Sequence, residues 1–315
     1  MDIVFLDQNK WIELAKVAAG KTSSGHVATL YAQLTAAVDA GKVLFPLAVS
    51  HVIETSKRNA PTSRVLLAET QARLSRGYVY RSRAGRLLVE MQQTIRTLFG
   101  EPAAELAENW VIASGFMQAF EPMDTLVAPP VEAERVHRFN RLIDPRAQYV
   151  DFMKNQDDAT RRNAHVNFSA GAEKLIKRIE ERRVLLHGDP TDLRRRAYNV
   201  RLFLDHQDDI IRATRGVGHT FEELKALGEK ALVALIEDVP TLNVEAEMAA
   251  RLESETRPID TNDVIDMQSF YTAIPYSNRV VAEKASISRA RQAKLDVRYP
   301  VVLSERLEDL LDAYL

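Results

Sequence analysis

The chain has 315 residues, 46% of them hydrophobic, and a formal net charge of −2; this is enough for a sizeable core in one or two domains and excludes a globally basic nucleic-acid binder. Cysteine is absent, which excludes disulfides and thiolate metal sites and suits a reducing, cytoplasmic setting. No apolar run approaches the roughly 20 residues of a membrane span, and the N-terminus lacks the basic and apolar regions of a secretion signal.

Ile3 to Leu6 is an apolar run that ends in Asp7. It is too short for a helix and has no 3.6-residue period, so it reads as a buried strand ending in an acidic turn. Asn9 is the expected cap of a helix from Lys10 to about Ala19. Asp7 then falls where a strand ends and a helix begins, where open α/β sheets present ligand groups. Helix capping is the simpler use of such a residue. Gly20 to Gly25 reads as a turn and His26 to Ala40 as a helix stopped by Gly41. Val43 to Leu47 reads as a second strand, and Ser50 as the cap of a helix carrying Val52, Ile53 and Glu54. The order β-α-α-β-α predicts an α/β fold with parallel strands joined by helices.

From Pro61 to about Glu255, β-branched runs nearly vanish and helical periods take over. Helices are expected over Ser63–Ser75, Gly85–Leu98, Ala103–Ala119, Pro130–Leu142, Ala170–Arg183, Asp192–Thr214, Phe221–Glu237 and Val244–Glu255. Late in the chain come a helix from Asp263 to Ala273 and a strand from Arg279 to Ala282. A helix from Lys284 to Lys294, a last strand from Tyr299 to Leu303 and a closing helix capped by Ser304 follow. Residues 1–60 and 256–315 have too few strands to stand alone. They are expected to share one sheet as an α/β core, interrupted by a large all-α insertion over residues 61–255.

Acidic residues recur at the edges of these elements. Asp7 follows the first strand, Glu54 lies one turn beyond Ser50, and Glu283 follows Val280-Val-Ala282. Asp263 and Asp266 are three apart and share a helix face, separated by about 4.5 Å of axial rise. Acids in a first turn also complement the helix dipole, and a Glu on a helix is usually just solvated. Gathered together, such carboxylates repel one another unless a cation holds them. With no Cys, and no His beside the acids, the set suits a hard cation, Mg²⁺ or Mn²⁺.

In these segments the chain resembles the PIN-like nuclease superfamily. The resemblance lies in Val4-Phe-Leu-Asp7-Gln-Asn-Lys-Trp11, in Val49-Ser-His-Val-Ile-Glu54, and in Asn262-Asp-Val-Ile-Asp266 with Ile274-Pro-Tyr-Ser-Asn-Arg-Val-Val-Ala-Glu-Lys284. It covers about a third of the chain. It implies a Rossmann-like α/β/α fold, an acidic pocket for Mg²⁺ or Mn²⁺, and cleavage of RNA; toxins of toxin–antitoxin pairs are among the members. By the same resemblance Asp7 is the first acid, Glu54 the second and Asp263 the third, with Asp266 a neighbour that shares or takes that place. Glu283 is the acid at the end of the third strand. Related sequences often carry Asp after the Pro-Tyr pair, where this chain has Asn278.

Two local basic runs are candidates for holding an RNA substrate. Lys57 to Arg86 has eight Lys or Arg against one acid, with Tyr78 and Tyr80 among them. Lys57, Arg58, Arg81, Arg83 and Arg86 are the expected phosphate contacts. Arg161 to Arg196 has ten against five. Solvated helix faces explain such runs equally well. The reading is a metal-dependent endoribonuclease whose helical segment offers a surface for a protein partner or a second copy. Two alternatives stand beside it. In one, the fold is an inactive scaffold for protein interaction. In the other, Arg201 and His206 cut RNA without metal from the helical region.

Overall fold

In the computed structural model, which describes residues 1–21, 25–120 and 144–314, both ends of the chain enter one parallel sheet. Strand β1 (Asp2–Leu6) is followed by α1 (Gln8–Ala18) and α2 (Gly25–Asp39), and β2 (Val43–Leu44) by α3 (Val49–Ser56) and α4 (Pro61–Ser75). Then come β3 (Tyr78–Tyr80), α5 (Arg83–Leu98), β4 (Ile112–Ser114) and α6 (Pro145–Asn155). A helical stretch holds α7 (Asp158–Leu185), α8 (Thr191–Asp205), α9 (Gln207–Gly216), α10 (Phe221–Ala226), α11 (Glu229–Glu237) and α12 (Pro240–Ser254). The chain returns through α13 (Thr261–Tyr276), β5 (Arg279–Val281), α14 (Lys284–Gln292), α15 (Leu295–Arg298), β6 (Val302–Ser304) and α16 (Leu311–Tyr314).

The four-stranded sheet runs β2-β1-β5-β6, with every pair parallel. Val4, Phe5 and Leu6 lie opposite Arg279, Val280 and Val281, so the expected union of the two ends is present. Burial of both faces explains why β1 reads as an unbroken apolar run. Ile3 and Phe5 point into one buried cluster, Val4 and Leu6 into another. The Val4 and Leu6 face is covered by α1, α2 and α4 through Trp11, Leu14, Leu30, Leu34 and Leu67. The Ile3 and Phe5 face is covered by α5, α12 and α13 through Met91, Val244 and Phe270. That second cluster continues outward to Tyr198 and Leu235, so the helices of residues 61–255 pack directly on the sheet.

Several expected elements take another form. Residues 103–119 are not a helix: the chain is irregular to Val111, then forms β4 and a 3₁₀ turn at Phe116–Ala119. Asn109 and Gly115, both with positive φ, break the helical path. The helix expected over Asp192–Thr214 is interrupted at His206, and that over Phe221–Glu237 at Gly228, whose φ is +87°. The helix expected over Pro130–Leu142 lies outside the described residues. Strand β3 was not anticipated; it pairs antiparallel with β4 in a separate two-stranded sheet, and an isolated parallel bridge ties Val79 to Leu47, just past β2. Among the described residues no helix is long and apolar enough to cross a membrane.

Many arginines of the two basic runs close helix ends. Arg64 Nε donates to the Met153 carbonyl at 2.7 Å, Arg161 Nη1 to that of Ser56 at 2.8 Å, and Arg183 Nη2 to that of Leu252 at 2.8 Å. The last carbonyls of a helix have no partner within it, and these guanidinium groups supply one.

The turn into β3 gives a test of the packing. Gly77 has φ +78°, and a Cβ there would lie 2.8 Å from Pro145 Cβ and 2.9 Å from its backbone carbon at the start of α6. Gly20 has φ +66° but open space around it. Gly20→Ala should cost about 1–2 kcal/mol, the ordinary penalty of a left-handed residue. Gly77→Ala should cost at least about 1 kcal/mol more, because the clash adds to it. Urea unfolding of the two variants measures the difference; equal losses would contradict the contact between Gly77 and Pro145.

Candidate functional site

Asp7 ends β1 and is the N-cap of α1, its Oδ1 accepting from the Gln8 amide at 2.7 Å. The cap is therefore Asp7, not Asn9, and α1 starts two residues earlier than expected. Capping and site membership do not exclude each other, since a carboxylate has two oxygens. The Asn9 side chain instead donates to Glu283 Oε1, tying the end of β1 to the end of β5. Glu283 is the residue before α14 and makes no side-chain cap.

Helix α3 is started by His51 rather than Ser50. Its Nδ1 accepts from the Ala48 amide at 2.9 Å. Burial pushes the imidazole pKa down to about 3, so the ring is neutral and its Nδ1 lone pair is free to accept. It stacks on Phe5 with ring centroids 5.1 Å apart. Ser50 shares a 2.8 Å hydrogen bond with Ser269 of α13. One turn further along α3, Glu54 turns toward Asp7.

Asp7, Glu54, Asp266 and Glu283 line one cavity of 280 Å³, with Asn9, Asn262, Lys57 and Arg58 around them. Four different elements deliver the four acids, all at the carboxyl edge of the parallel strands. Beneath them a buried polar network joins α1, α3, α4 and α6. Gln8 Nε2 donates to Thr55 Oγ1 at 3.1 Å, Thr55 Oγ1 to Gln71 Oε1 at 3.0 Å, and the Tyr149 hydroxyl to Gln71 Oε1 at 2.7 Å. Gln8 and Thr55 are the chain neighbours of Asp7 and Glu54, so the network fixes the backbone that presents both acids. Sequence patterns give no sign of it, because its members lie in four separate helices.

Asp7, Glu54 and Asp266 resist ionisation. Burial pushes Asp7 up to about 6, against the pull of the Gln8 amide, and the charge of Glu283 adds to the rise. Burial pushes Glu54 up to about 7, with Lys57 opposing and Asp7 and Glu283 reinforcing. Burial pushes Asp266 up to about 8, reinforced by Asp7 and Glu283 and opposed by a hydrogen bond from Ser286 Oγ at 3.2 Å. Burial and mutual repulsion act together here.

Asp263 stands apart from this group. It accepts from both Arg257 and Arg289, the latter at 2.9 Å, and closes a reciprocal cap with Asp260. Burial raises its pKa, but the Arg257 hydrogen bonds, the backbone of Asp260 and the charge of Arg289 outweigh that and hold it below the ordinary carboxylate value. Of the pair read from the sequence, Asp266 joins the cavity and Asp263 anchors the start of α13. Asn278 lies at the opposite edge of the sheet, its Oδ1 accepting from the Ile3 amide at 2.8 Å. Its departure from the acid of related sequences therefore does not touch the cavity.

The expected phosphate contacts divide in the same way. Lys57 and Arg58 border the acidic cavity. Arg81, Arg83 and Arg86 line a different and larger one. Arg86 is only 2% exposed and donates to Thr272 Oγ1 at 2.7 Å, and Arg83 pairs with Glu245. They are not an exposed track beside the acids. Arg201 and His206 border the larger cavity too. Arg201 is held by Asp205 at 2.7 Å, and His206 lies 3.0 Å from Asp209 and 3.3 Å from Arg83.

The oxygen-only donor set fits a hard divalent cation, and such an ion would relieve the repulsion among half-buried Asp7, Glu54 and Asp266 and exposed Glu283. Among the described residues, no three acidic or histidine side chains stand close enough to share an ion as placed. Ligation would need side-chain rotation toward a common centre. Compared with protein-family models, curated proteins and solved structures, the chain matches none.

The raised values have a consequence for stability. An acid with a raised folded pKa binds protons more tightly folded than unfolded, so its contribution falls as pH rises from its ordinary value to the folded one. His51, with a lowered value, acts the opposite way, but only below its ordinary value of 6.5. Between about pH 6.5 and 8 the acids remain, Asp266 foremost. The melting temperature of metal-free protein should fall across that interval, and Asp266→Asn should flatten the fall by on the order of 1 kcal/mol. A parent curve that is flat or rising there would show that Asp266 is not so perturbed.

Proposed function

We propose that the protein is a metal-dependent endonuclease acting on RNA, with a PIN-like, Rossmann-type core. The observation that carries this reading is the meeting of Asp7, Glu54, Asp266 and Glu283 in one cavity at the carboxyl edge of a parallel sheet. Carboxylates forced together from four elements cost stability, and a cation offsets that cost.

Asp7, Glu54, Asp266 and Glu283 would hold Mg²⁺ or Mn²⁺, directly or through water. When bound, the ion supplies an acidified water and positive charge against the phosphate. The rest falls to the chain's own groups. Asn9 orients Glu283 and Ser286 orients Asp266, each by a hydrogen bond to the carboxylate. Lys57 and Arg58, at the rim, attract the phosphates flanking the scissile bond. Attack on phosphorus opposite O3′ leaves a 3′-hydroxyl and a 5′-phosphate.

The test is cleavage of a mixed single-stranded RNA pool with Mn²⁺, Mg²⁺ or chelator. Asp7→Asn and Asp266→Asn should each lose at least about 10²-fold in rate, the scale of removing one preorganised charged group. Metal should also raise the parent's melting temperature more than either variant's. Asp263→Asn should do the reverse: it breaks a buried ion pair with Arg289, so stability drops by on the order of 3 kcal/mol while metal-dependent cleavage of the folded fraction persists. Equal cleavage by parent and Asp7→Asn would reduce Asp7 to a helix cap, and activity indifferent to chelator would rule out the metal.

The rim gives an independent check. Lys57→Glu with Arg58→Glu should weaken RNA binding and shallow its salt dependence, because fewer counterions are released. An unchanged slope would move the RNA path elsewhere.

A further inference from the structure

A second cavity, of 610 Å³, exceeds the acidic one in size. It lies between β3, α3 and α5 on one side and α7 and α8 on the other, and its size is that of a small-molecule site. Seven Lys or Arg side chains border it against two carboxylates, Asp205 and Glu245. Those carboxylates are already taken up, Glu245 by Arg83 and the Tyr198 hydroxyl, Asp205 by Arg201 and Arg178. Arg182 is also paired, with buried Glu253, and positive charge still exceeds negative along the wall.

Its buried donors are also incompletely used. Arg86, 2% exposed, has a buried Nε with no hydrogen-bond partner among the described residues. Arg83 Nε and Arg182 Nη2 are in the same condition. The hydroxyl of Tyr271, also 2% exposed, is another. Buried donors are nearly always satisfied in folded proteins. Here four residues along one cavity, three of them arginines, each keep an unpartnered donor beneath its surface.

We propose that this cavity binds the phosphoryl group of a nucleotide, either a free nucleoside phosphate or the 5′ end of an RNA strand. Guanidinium groups match phosphate oxygens by geometry as well as charge. The phosphate meets the open side chains of Arg83, Lys174, Arg178 and Arg201 first, and the orphaned donors lie beneath that surface, reached by side-chain rotation. The two cavities share their helices. On α3, Val49 borders the larger and Glu54 the acidic one; on α13, Tyr271 borders the larger and Asp266 the acidic one. Each pair is five residues apart, about 7.5 Å of helix rise. An occupant of the larger cavity thus bears on the helices that present two of the acids.

The experiment is calorimetric titration of the full-length protein with pyrophosphate, ADP, and a short RNA carrying either a 5′-phosphate or a 5′-hydroxyl. Chelator is present throughout, so the result does not depend on metal at the carboxylates or on cleavage. Two variants are compared with the parent. Lys174→Glu with Arg178→Glu changes only exposed side chains at the mouth and should weaken binding at least tenfold with little change in melting temperature. Tyr271→Phe deletes an unpartnered buried hydroxyl, so it should leave melting unchanged or raised while still weakening binding several-fold. Binding of ADP, or preference for the 5′-phosphorylated RNA over its 5′-hydroxyl twin, supports the site and identifies its source. Absence of binding by every phosphorylated probe overturns the proposal, as does equal affinity of parent and Lys174→Glu/Arg178→Glu.

Discussion

Pairing between β1 and β5 holds the whole arrangement together. Leu6 and Val281 are opposite one another though 275 positions apart in the chain, and the Ile3 amide is bound by Asn278 at the near end of the same seam. Closing so long a loop is not prohibitive, since the entropy cost grows only with the logarithm of its length. It does mean that the seam forms only if both faces of the sheet are covered. Val4 and Leu6 need α1 and α2; Ile3 and Phe5 need α12 and α13, which come from the far side of the helical stretch. Asp7 and Glu283 are the residues that emerge where this seam ends, with Asn9 of one strand end bonded to Glu283 of the other. The acidic cavity is thus a direct product of the strand register: a slip of one residue would send Asp7 to the wrong face.

Such a cavity is costly to fold. Each tenfold change in proton affinity forced on a carboxyl corresponds to about 1.4 kcal/mol, and three carboxyls here are pushed toward or above neutrality. A typical hydrogen bond returns about 0.5–1.5 kcal/mol. The buried network of Gln8, Thr55, Gln71 and Tyr149 therefore acts on the same scale as the repulsion it sits beneath. Arg161 and Arg64 add to it, both donating to carbonyls at the end of α3 around Ser56 and Arg58. The helix that carries Glu54 is held at its start by neutral His51 and at its finish by two guanidinium groups. The acids are placed by a rigid frame and not by attraction to one another.

How much of this could be read beforehand depends on whether a feature is local. An apolar run ending in an acid is local, so β1 with Asp7 and β5 with Glu283 were legible, as was the sharing of one sheet by chain ends too short to fold alone. Asp263 and Asp266 were both visible but not distinguishable. Their roles are decided by Arg257 and Arg289 on one side and by Ser286 on the other, partners whose positions follow from packing. Strand β3 escaped because three residues between Gly77 and Arg81 carry no period, and the residues that pair with it, Leu47 and the β4 strand, are remote. The basic runs misled for a related reason. Backbone carbonyls are chemically identical in every sequence, so an arginine destined to close a helix end looks the same as one destined for phosphate.

That ambiguity is resolved by where each guanidinium stands: an unpartnered buried Nε occurs in both groups, in Arg161 as in Arg83 and Arg86, but only the latter two border the larger cavity. Arg64, Arg161 and Arg183 each place at least one nitrogen on a carbonyl at the close of a helix, away from the larger cavity. Arg86 and Arg83 also use some of their nitrogens, on Thr272 and Glu245, but each keeps a buried Nε without a partner at the wall of that cavity. The wall of that cavity also carries the unpartnered hydroxyl of Tyr271. Because α3 and α13 border both this cavity and the acidic one and are joined by the Ser50–Ser269 hydrogen bond, a shift of either helix at one cavity is carried to Glu54 or Asp266 at the other. The frame that presents two of the acids is therefore also part of the wall of the second cavity.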